Sequence, residues 1–368
     1  MTLRRLLYVG GLTSSYEVAV ANTTRSRVRA LSALDLDVAT LDTTPWTGSS
    51  LWTQRFNQRT YLGRSVRAMN GELQRSVAEH RPDLVWMDKA MWVYPWVLRR
   101  LRRDGCRVVH YNTDDVLAPR HHFWLHRLGL TACDLFLTTN RFNVKEIQRR
   151  YRIRTLRVGM GYDREIHVPT ATDKDAGAPS LVFVGHWQPH TEKYISALKR
   201  AGLPVRVWGT HWQRAADREL RKVTPLPGAQ YVRTIAQAAI ALCMLSRRNR
   251  NESTGRSFEI PAIGTFMLAE RTPEHGFLYG DGVGTVLFSD EQELVAKARH
   301  YLSHEAERVE IARHGAARSC TLGLSWDDHI QREWPLVERA LTGNTDLSPM
   351  DDLPFWPGYR RGEAVGTT

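Results

Sequence analysis

Residues 181–209, LVFVGHWQPHTEKYISALKRAGLPVRVWG, contain the pattern that decides the fold. An apolar run ends at Gly185, a helical stretch follows at 192–201, and a second apolar run begins at Val205. A strand, a helix and a strand at this spacing predict a βαβ unit, in which the two strands are parallel members of one sheet. Helices cover both faces of such a sheet, which accounts for strands that are almost continuously apolar.

The same alternation of strands and helices fills the first half of the chain. Helices are expected there at about 16–34, 61–80 and 143–151, and a further helix is expected to end near residue 103. The predicted strands are 6–9, 38–41, 83–87, 107–111 and 135–138.

The polar, proline-bearing stretch 166–180 interrupts this rhythm and predicts a linker. We therefore expect an α/β protein with two Rossmann-like βαβ domains that face each other across a cleft, where ligands of open α/β sheets bind. The predicted units are an N-terminal domain at 1–165, the linker at 166–180, a C-terminal domain at 181–341 and a tail at 342–368.

The composition is that of a globular protein. Of the 368 residues, 42% are hydrophobic and 24% are charged, which excludes a wholly disordered or fibrous chain. No apolar run approaches the ~18 residues of a membrane span, and the first apolar run is too short for a signal peptide. The four cysteines have no disulfide or zinc-site spacing and are expected to be thiols. These features predict a cytoplasmic protein.

The positive charge is concentrated in the first half. Residues 1–170 contain 27 Lys and Arg against 15 Asp and Glu, which accounts for the whole net charge of +12. Such an imbalance predicts an anionic partner, which could be a nucleic acid, an acidic lipid surface or a phosphorylated substrate. Alternatively, the individual arginine clusters, such as those at 99–103 and 149–154, are solvated helix ends.

The stretch LSRRNRNESTGRSFEIPAIGTFMLAE at 245–270 carries the most chemical information. A strand ends at Leu245, an arginine-rich loop follows, and a short helix begins near Gly255. The N-terminus of a helix presents free N–H groups and a partial positive charge, which suits a diphosphate. Arg256 could add a charge-assisted contact, and Glu259 could accept hydrogen bonds from a ribose diol. Alternatively, Glu259 only stabilises its own helix dipole and the arginines are surface residues.

At this stretch the sequence resembles the CgeB-like (spore-maturation type) bacterial glycosyltransferases of the GT-B superfamily. The resemblance covers about residues 181–330 and implies a nucleotide-sugar donor in the C-terminal domain and an acceptor in the N-terminal one. The matching segments are FEIPAIGTFML at 258–268, ERTPEH at 270–275, SDEQEL at 289–294 and RHGAAR at 313–318, with weaker matches in NTDD at 112–115 and GYD at 161–163.

The resemblance also implies roles for individual residues. Glu259 matches the family's nucleotide-binding glutamate, which is expected to contact the ribose. A second glutamate of many retaining relatives lies eight residues earlier, where this chain has Asn251, so the stereochemistry stays open. The usual basic residue beyond Gly185 is replaced by Thr191, which leaves Lys193 or the 247–256 loop to neutralise the diphosphate. The predicted donor-binding residues are Glu259, Arg256, Ser257, Phe258, Arg250, Thr254, Gly185, His186, Trp187 and Lys193.

The acceptor side is predicted at the strand ends of the first half. The pair Gly10-Gly11 either lets a ligand approach the backbone or forms a plain tight turn, and it lacks the later glycines of a dinucleotide fingerprint. Asp114 and Asp115 are the predicted catalytic residues, because a carboxylate there could act as general base on an acceptor hydroxyl. Alternatively, Asp115 caps the next helix. Asn112 completes the predicted acceptor side.

The resulting hypothesis is a glycosyltransferase that moves a hexosyl or pentosyl group from a nucleoside-diphosphate sugar, foremost a UDP-sugar, to an unknown acceptor. No metal site or further cofactor is expected, since the two D-x-D matches at 35–37 and 173–175 lie away from cleft-facing loops. The alternative is a non-catalytic GT-B scaffold. We expect an anionic or lipid-linked acceptor. We also expect peripheral contact with the inner face of the membrane through the aromatic, arginine-rich run at 91–103. Alternatively, this run belongs to the core. No nucleic-acid reading motif is present.

Overall fold

The computed structural model describes residues 3–13, 23–46, 51–90, 92–118, 124–169, 180–226 and 228–343. These residues form two sheets in which all paired strands are parallel, with helices on both faces of each. The predicted α/β class with two Rossmann-like sheets is confirmed. The predicted linker and tail fall largely on residues 170–179 and 344–368, which lie outside the described residues.

The first sheet has the strand order β2-β1-β3-β4-β5-β6, and its helices connect one strand to the next. Its strands are β1 Arg5–Gly10, β2 Asp37–Asp42, β3 Leu84–Asp88, β4 Arg107–Asn112, β5 Leu135–Thr138 and β6 Arg154–Arg157. The helices in this half are α1 Thr23–Ser32, α2 Leu51–Thr60, α3 Arg64–His80, α4 Pro95–Arg103, α5 Trp124–Leu130 and α6 Arg141–Tyr151.

The second sheet has the order β11-β10-β9-β7-β8. Its strands are β7 Leu181–Val184, β8 Val205–Trp208, β9 Ile240–Cys243, β10 Met267–Glu270 and β11 Val286–Phe288. The helices that follow the linker are α7 Pro189–Arg200, α8 Gly228–Ala236, α9 Gly255–Ile263, α10 Pro273–Tyr279, α11 Glu291–Ser303, α12 Glu305–Thr321 and α13 Trp326–Thr342.

The last helix, α13, returns to the first sheet. Trp326, Ile330, Val337 and Leu341 are buried in the same apolar cluster as β1, β3 and helix α1. The predicted domain limits, which include α13 in the C-terminal unit, remain a prediction, but its packing partners belong to the N-terminal half. The chain therefore crosses between the two halves twice, which ties them together.

The aromatic run at 91–103 contributes mainly to the core. Tyr94 is buried and donates a hydrogen bond to the Tyr61 carbonyl, and Trp92 packs against the core of the first half. Trp96 remains 54% exposed and stacks on Tyr94. Within the described residues, no helix has the length and apolar character needed to cross a membrane.

Candidate active site between the two sheets

A cavity of about 360 Å³ lies between the carboxyl ends of the two sheets, and we call it the cleft cavity. Its lining from the first half comes from the loops after β3 and β4, and its lining from the second half comes from the loops after β7, β8 and β9 and the start of α9. Both sheets therefore present their ligand-binding edge to the same space. Lining residues with polar side chains include Lys89, Thr113, Asp114, His186, Trp187, Thr191, His211, Arg248, Asn249, Thr254 and Arg256.

A chain of hydrogen bonds fixes the N-terminus of α9 at this cavity. The Thr254 N–H donates to Ser257 Oγ at 3.0 Å, and Ser257 Oγ lies 2.7 Å from His275 Nε2. His275 Nδ1 lies 2.7 Å from the Glu270 carbonyl, so the ring donates there and accepts from Ser257 through Nε2. Ser257 is thus a buried positioning residue, and Thr254 and Arg256 on either side of the helix start line the cleft cavity.

Glu259 is buried in the first turn of α9, with 1% of its surface exposed. Its Oε2 accepts a hydrogen bond of 2.7 Å from the Tyr231 hydroxyl. Burial and the neighbouring Glu259 raise the pKa of Tyr231 well above its usual value, so this hydroxyl stays protonated. The other carboxylate oxygen, Oε1, has no hydrogen-bond partner in the described part of the chain.

Gly255 keeps that free oxygen uncovered. A Cβ added at Gly255 would lie 2.8 Å from Glu259 Oε1, so any other residue there would crowd the carboxylate. The neighbours of Gly255 in the chain, Thr254 and Arg256, both line the cleft cavity. The unpartnered oxygen therefore lies close to the backbone between two residues that line the cleft cavity.

Arg256 joins the ends of two strands of the second sheet. Its guanidinium donates to the Val184 carbonyl at 2.9 Å and to the Met244 carbonyl at 2.6 Å, and it lies over the Phe183 ring. A Cβ at Gly185 would lie 2.7 Å from Arg256 Nη1, which explains the glycine at this turn. Arg256 thus positions the turn and also places a positive charge at the cleft.

His186 lies on the predicted glycine turn and lines the cleft cavity as a neutral imidazole. Its Nδ1 is hydrogen-bonded to Thr210 Oγ1. Loss of hydration in the cleft, followed by the positive charges of Arg256 and His211, lowers the pKa of His186 to about 4. At neutral pH His186 therefore offers a hydrogen bond rather than a positive charge.

Three predicted donor-binding residues lie outside the lining of the cleft cavity. Phe258 lies in the apolar core of the second sheet. Lys193 is 70% exposed and its ammonium pairs with Glu291 on α11, so the expectation that it neutralises a diphosphate is wrong for this conformation. Arg250 pairs with Asp115 at 2.6 Å and with Glu146 at 2.9 Å, and it connects the two halves instead of lining the cleft cavity.

The two predicted catalytic aspartates occupy different environments. Asp114 lines the cleft cavity, where its Oδ1 accepts from Asn249 Nδ2 at 2.8 Å and its Oδ2 lies 3.7 Å from Lys89 Nζ. Asp115 is buried, and its oxygens accept from the Leu117 N–H and from Arg250. Asp115 therefore caps a turn and pairs with Arg250, and only Asp114 is placed to meet a substrate.

The remaining acceptor-side residues support the strand ends. Asn112 is buried and its Oδ1 accepts from the Asp114 N–H at 2.8 Å, which orients the Asp114 loop. A Cβ at Gly10 would lie 3.2 Å from the Asp88 and Tyr8 side chains, so close packing requires this glycine. Neither Gly10 nor Gly11 belongs to the described lining of the cleft cavity, and the chain after Thr13 lies outside the described residues up to 22.

Sequence reasoning missed Tyr231 and Lys89. Tyr231 lies on α8, 28 residues before Glu259, and no local pattern connects the two side chains. Lys89 lies two residues after the predicted strand 83–87 and directly after β3, so the rule that ligands meet strand ends could have identified it. Among the described residues, the one group able to hold a metal ion is the exposed set His300, His304 and Glu307, which lies on α11 and α12 and not in the cleft.

A family model described as glycosyl transferase-like matches residues 189–331. This segment contains the glycine-bordered start of α9, Glu259 and the strands on either side. The finer resemblance to CgeB-like enzymes remains a prediction. No curated protein sequence matches this chain.

Solved structures share the two-sheet architecture over almost their full length. A sucrose-phosphate synthase from Thermosynechococcus elongatus is 14% identical with a TM-score of 0.65, and 91% of this chain covers 99% of that one. The match to Anabaena HepE in complex with UDP-glucose has 13% identity and a TM-score of 0.61, and it covers 90% of this chain and 99% of that one. The match to UDP-GlcNAc 2-epimerase from Neisseria meningitidis bound to UDP-GlcNAc has 11% identity and a TM-score of 0.52, and it covers 90% of this chain and 100% of that one.

These similarities show that the chain has the GT-B fold, as the sequence predicted. The fold is shared by transferases and an epimerase, so the fold alone does not determine the reaction. The family model described as glycosyl transferase-like covers only residues 189–331, less than half of the chain, so it marks a similarity of the second half and not the family of the whole protein.

Proposed function

We propose that this protein transfers a glycosyl group from a nucleoside-diphosphate sugar, foremost a UDP-sugar, to a hydroxyl of an acceptor. The donor lies in the cleft cavity against the second sheet, and the acceptor enters from the first sheet. The transferred group is a hexosyl or pentosyl unit, and the nucleotide sugar is the only co-substrate needed.

The observation that supports this proposal most is the free oxygen of Glu259. A buried acceptor without a partner loses the free energy of its hydration, so such groups are rare unless a ligand or water completes them. Glu259 Oε1 lies beneath Gly255 at the edge of the cleft cavity. A ribose has two hydroxyl groups on adjacent ring carbons, and either hydroxyl could donate a hydrogen bond to this oxygen.

The diphosphate would lie at the N-terminus of α9. Free N–H groups and the helix dipole favour an anion there. Arg256, Arg248 and Lys89 add positive charges that line the same cavity. These fixed charges can stabilise the leaving diphosphate in the transition state, so we propose a reaction that needs no metal ion.

Asp114 is the proposed general base. The acceptor hydroxyl oxygen forms a bond to the anomeric carbon, the bond from that carbon to the diphosphate oxygen breaks, and Asp114 takes the hydroxyl proton. Asn249 and Lys89 hold the carboxylate on the acceptor side of the cavity. This arrangement supports inversion at the anomeric carbon.

The test is a screen of purified protein with several nucleotide sugars. We expect a nucleoside diphosphate to raise the melting temperature and the matching sugar nucleotide to release that diphosphate when the acceptor is present. Glu259→Ala should abolish both effects. Stabilisation without turnover would favour the non-catalytic scaffold, whereas conversion of the sugar without release of the diphosphate would reveal an epimerase. No effect of any nucleotide would contradict the proposal.

We also propose that the basic N-terminal half contacts the anionic inner face of the membrane from the cytoplasm. Trp52 and Phe56 lie four residues apart on α2 and therefore share one face of it, where they are 79% and 51% exposed; Leu62, just after α2, is 62% exposed. Aromatic and basic groups together suit a membrane interface. The protein should sediment with phosphatidylglycerol vesicles at low salt and less so at high salt, and Trp52→Ser with Phe56→Ser should weaken this. Unchanged binding by that variant would contradict the assignment.

A further inference from the structure

A second and larger cavity, of about 1020 Å³, lies beside the cleft cavity. Five arginines line it, two from the last turn of α6 and three from the loop after β9, and we call it the arginine cavity. They are Arg149, Arg150, Arg247, Arg248 and Arg250. A cavity of this size can hold a substrate-sized molecule.

Acidic side chains neutralise only part of this charge. Arg250 is paired with Asp115 and Glu146, and Arg247 is paired with Glu270 at 2.8 Å. The positive charges of Arg250 and Arg247 are therefore balanced by these ion pairs.

Three arginines remain without an acidic partner in the described part of the chain: Arg149, Arg150 and Arg248. Arg149 and Arg150 are exposed, and Arg150 lies over the Tyr151 ring. Like charges that share one cavity repel each other, so an anion that enters it is attracted by all three. Guanidinium groups bind phosphate oxygens through paired, charge-assisted hydrogen bonds.

The arginine cavity adjoins the proposed reaction site. Arg248 lines both the arginine cavity and the cleft cavity. Asp115, at the wall of the arginine cavity, directly follows Asp114, the proposed base. A molecule bound in the arginine cavity can therefore extend a hydroxyl past Arg248 towards Asp114.

We infer that the arginine cavity binds the phosphate group of a phosphorylated acceptor and thereby selects the acceptor of the proposed transferase. This inference rests on the proposed function, because it names the substrate class of the second substrate. The phosphate belongs either to a soluble sugar phosphate or to a lipid-linked phosphate. Leu117 and Ala118 add an apolar wall that fits a non-polar part of either molecule.

The test compares two double variants that remove the same charge. Arg149→Gln with Arg150→Gln removes two unpaired arginines of the cavity. Arg99→Gln with Arg103→Gln removes two exposed arginines of α4, which ends near the start of β4 and thus at the opposite edge of the first sheet. Glutamine keeps helix propensity, and circular dichroism checks that both variants fold.

The probes are glucose 6-phosphate, glucose and phosphatidylglycerol vesicles, each titrated into protein saturated with UDP. We expect glucose 6-phosphate or the vesicles to bind and glucose not to bind. The Arg149/Arg150 variant should bind the phosphorylated probe about tenfold more weakly, the loss expected when a charge-assisted hydrogen bond is removed. The Arg99/Arg103 variant should bind glucose 6-phosphate as the unmodified protein does. It serves as the control for this soluble probe only, because Arg99 and Arg103 belong to the run at 91–103 that is predicted to contact an anionic membrane.

Binding of the soluble probe assigns the acceptor to the sugar phosphates. Vesicle binding assigns it to lipid-linked phosphates when it persists in protein carrying Trp52→Ser and Phe56→Ser, which removes the proposed membrane contact, and is lost when Arg149→Gln and Arg150→Gln are added. The inference is wrong if neither phosphorylated probe binds, or if both double variants lose binding equally. The UDP titration reports separately on the proposed function. Normal UDP binding with no phosphate binding overturns this inference alone, whereas no UDP binding overturns the proposed donor site.

Discussion

Two buried carboxylates, one in each half of the molecule, differ in how their charge is balanced. Asp88, at the end of β3, pairs with the guanidinium of Arg27, and both side chains are almost fully buried. Glu259, in α9, is equally buried, but its hydrogen-bond partner is the neutral Tyr231 hydroxyl, and the described residues place no ion pair on it. A buried charge without an opposite charge is costly to the folded state.

The difference separates a carboxylate that serves the fold from one that serves a ligand. Arg27 also lies over the rings of Tyr111 and Trp326, so the Asp88 pair connects β3 and β4 to helices α1 and α13. Each carboxylate has one oxygen without a hydrogen-bond partner in the described part of the chain, so the distinction rests on the ion pair that Glu259 lacks. Glu259 connects α9 only to the neutral Tyr231 hydroxyl on α8, at the helix start that borders the cleft cavity. We therefore expect changes at the first site to reduce stability and changes at the second to reduce ligand binding.

The largest expected effect is on stability, from Arg27→Met. Removing the cation leaves Asp88 buried and uncompensated, which costs about 3–5 kcal/mol of the free energy of unfolding. Chemical denaturation measures it. The matched control is Arg75→Met on α3, which removes an exposed pair with Glu72 and should change the free energy of unfolding by about 1 kcal/mol or less. Equal losses in both variants would contradict the account of the buried pair.

The next effect is on ligand affinity, from Glu259→Gln. The amide keeps an acceptor for Tyr231 but removes the charge, so UDP affinity should fall about 10- to 100-fold, as expected for a lost hydrogen bond to a charged group. The free energy of unfolding should stay equal or rise, because a buried charge disappears. Calorimetric titration and denaturation measure the two quantities.

The control for this variant is Glu274→Gln. Glu274 is also buried, but it is paired with Arg157 at 3.2 Å. This variant should lose stability and keep its UDP affinity. If both glutamine variants lowered the free energy of unfolding and neither changed the UDP affinity, Glu259 would not be a ligand-binding carboxylate.

A smaller effect concerns pH and the first half. Burial lowers the pKa of His110 from 6.5 to about 4, although the charge of Asp88 opposes this. Between these two values the unfolded chain binds a proton that the folded protein does not, so the free energy of unfolding falls as the pH falls. Denaturation of the protein and of His110→Gln across pH 4 to 7 should give a weaker pH dependence for the variant. Parallel curves would show that His110 is not responsible.

The smallest effect on ligand affinity is expected from Arg250→Gln. Loss of the pair with the exposed Glu146 costs little, but the variant leaves the buried Asp115 without its cation, so the free energy of unfolding should fall by about 1–3 kcal/mol. The UDP affinity should not change, because Arg250 connects the two halves and does not line the cleft cavity. A tenfold loss of UDP affinity in calorimetric titration would restore the donor-binding role that the sequence suggested.

Much of the fold could be predicted from local patterns. The strand predicted at 135–138 is β5 Leu135–Thr138, and the run at 181–185 corresponds to β7, since both strands are wholly buried and apolar. β6 was missed because its sequence, RTLR, has only two buried residues and begins and ends with arginine. The predicted helix 61–80 corresponds to α3 Arg64–His80, whereas α2 Leu51–Thr60 was not predicted and is separated from α3 by a turn with Tyr61 in a left-handed conformation.

The site was predictable where one segment determines it. Thr254 and Arg256 at the start of α9 line the cleft cavity, because the strand, loop and helix are consecutive in the chain, whereas Glu259 is buried behind them and its role in donor binding remains a prediction. The partners of those residues could not be predicted. Tyr231 reaches Glu259 from another helix, and Arg250 reaches Asp115 across 135 residues, so both contacts depend on how the two halves pack.

The central claim is that Glu259 Oε1 is the acceptor for the ribose of a nucleotide, and a crystal structure of the protein with UDP tests it most directly. The account predicts a ribose hydroxyl within about 3 Å of Oε1, and the diphosphate at the N-terminus of α9 beside Arg256. A structure in which UDP binds away from α9 and leaves Oε1 without a partner would contradict it.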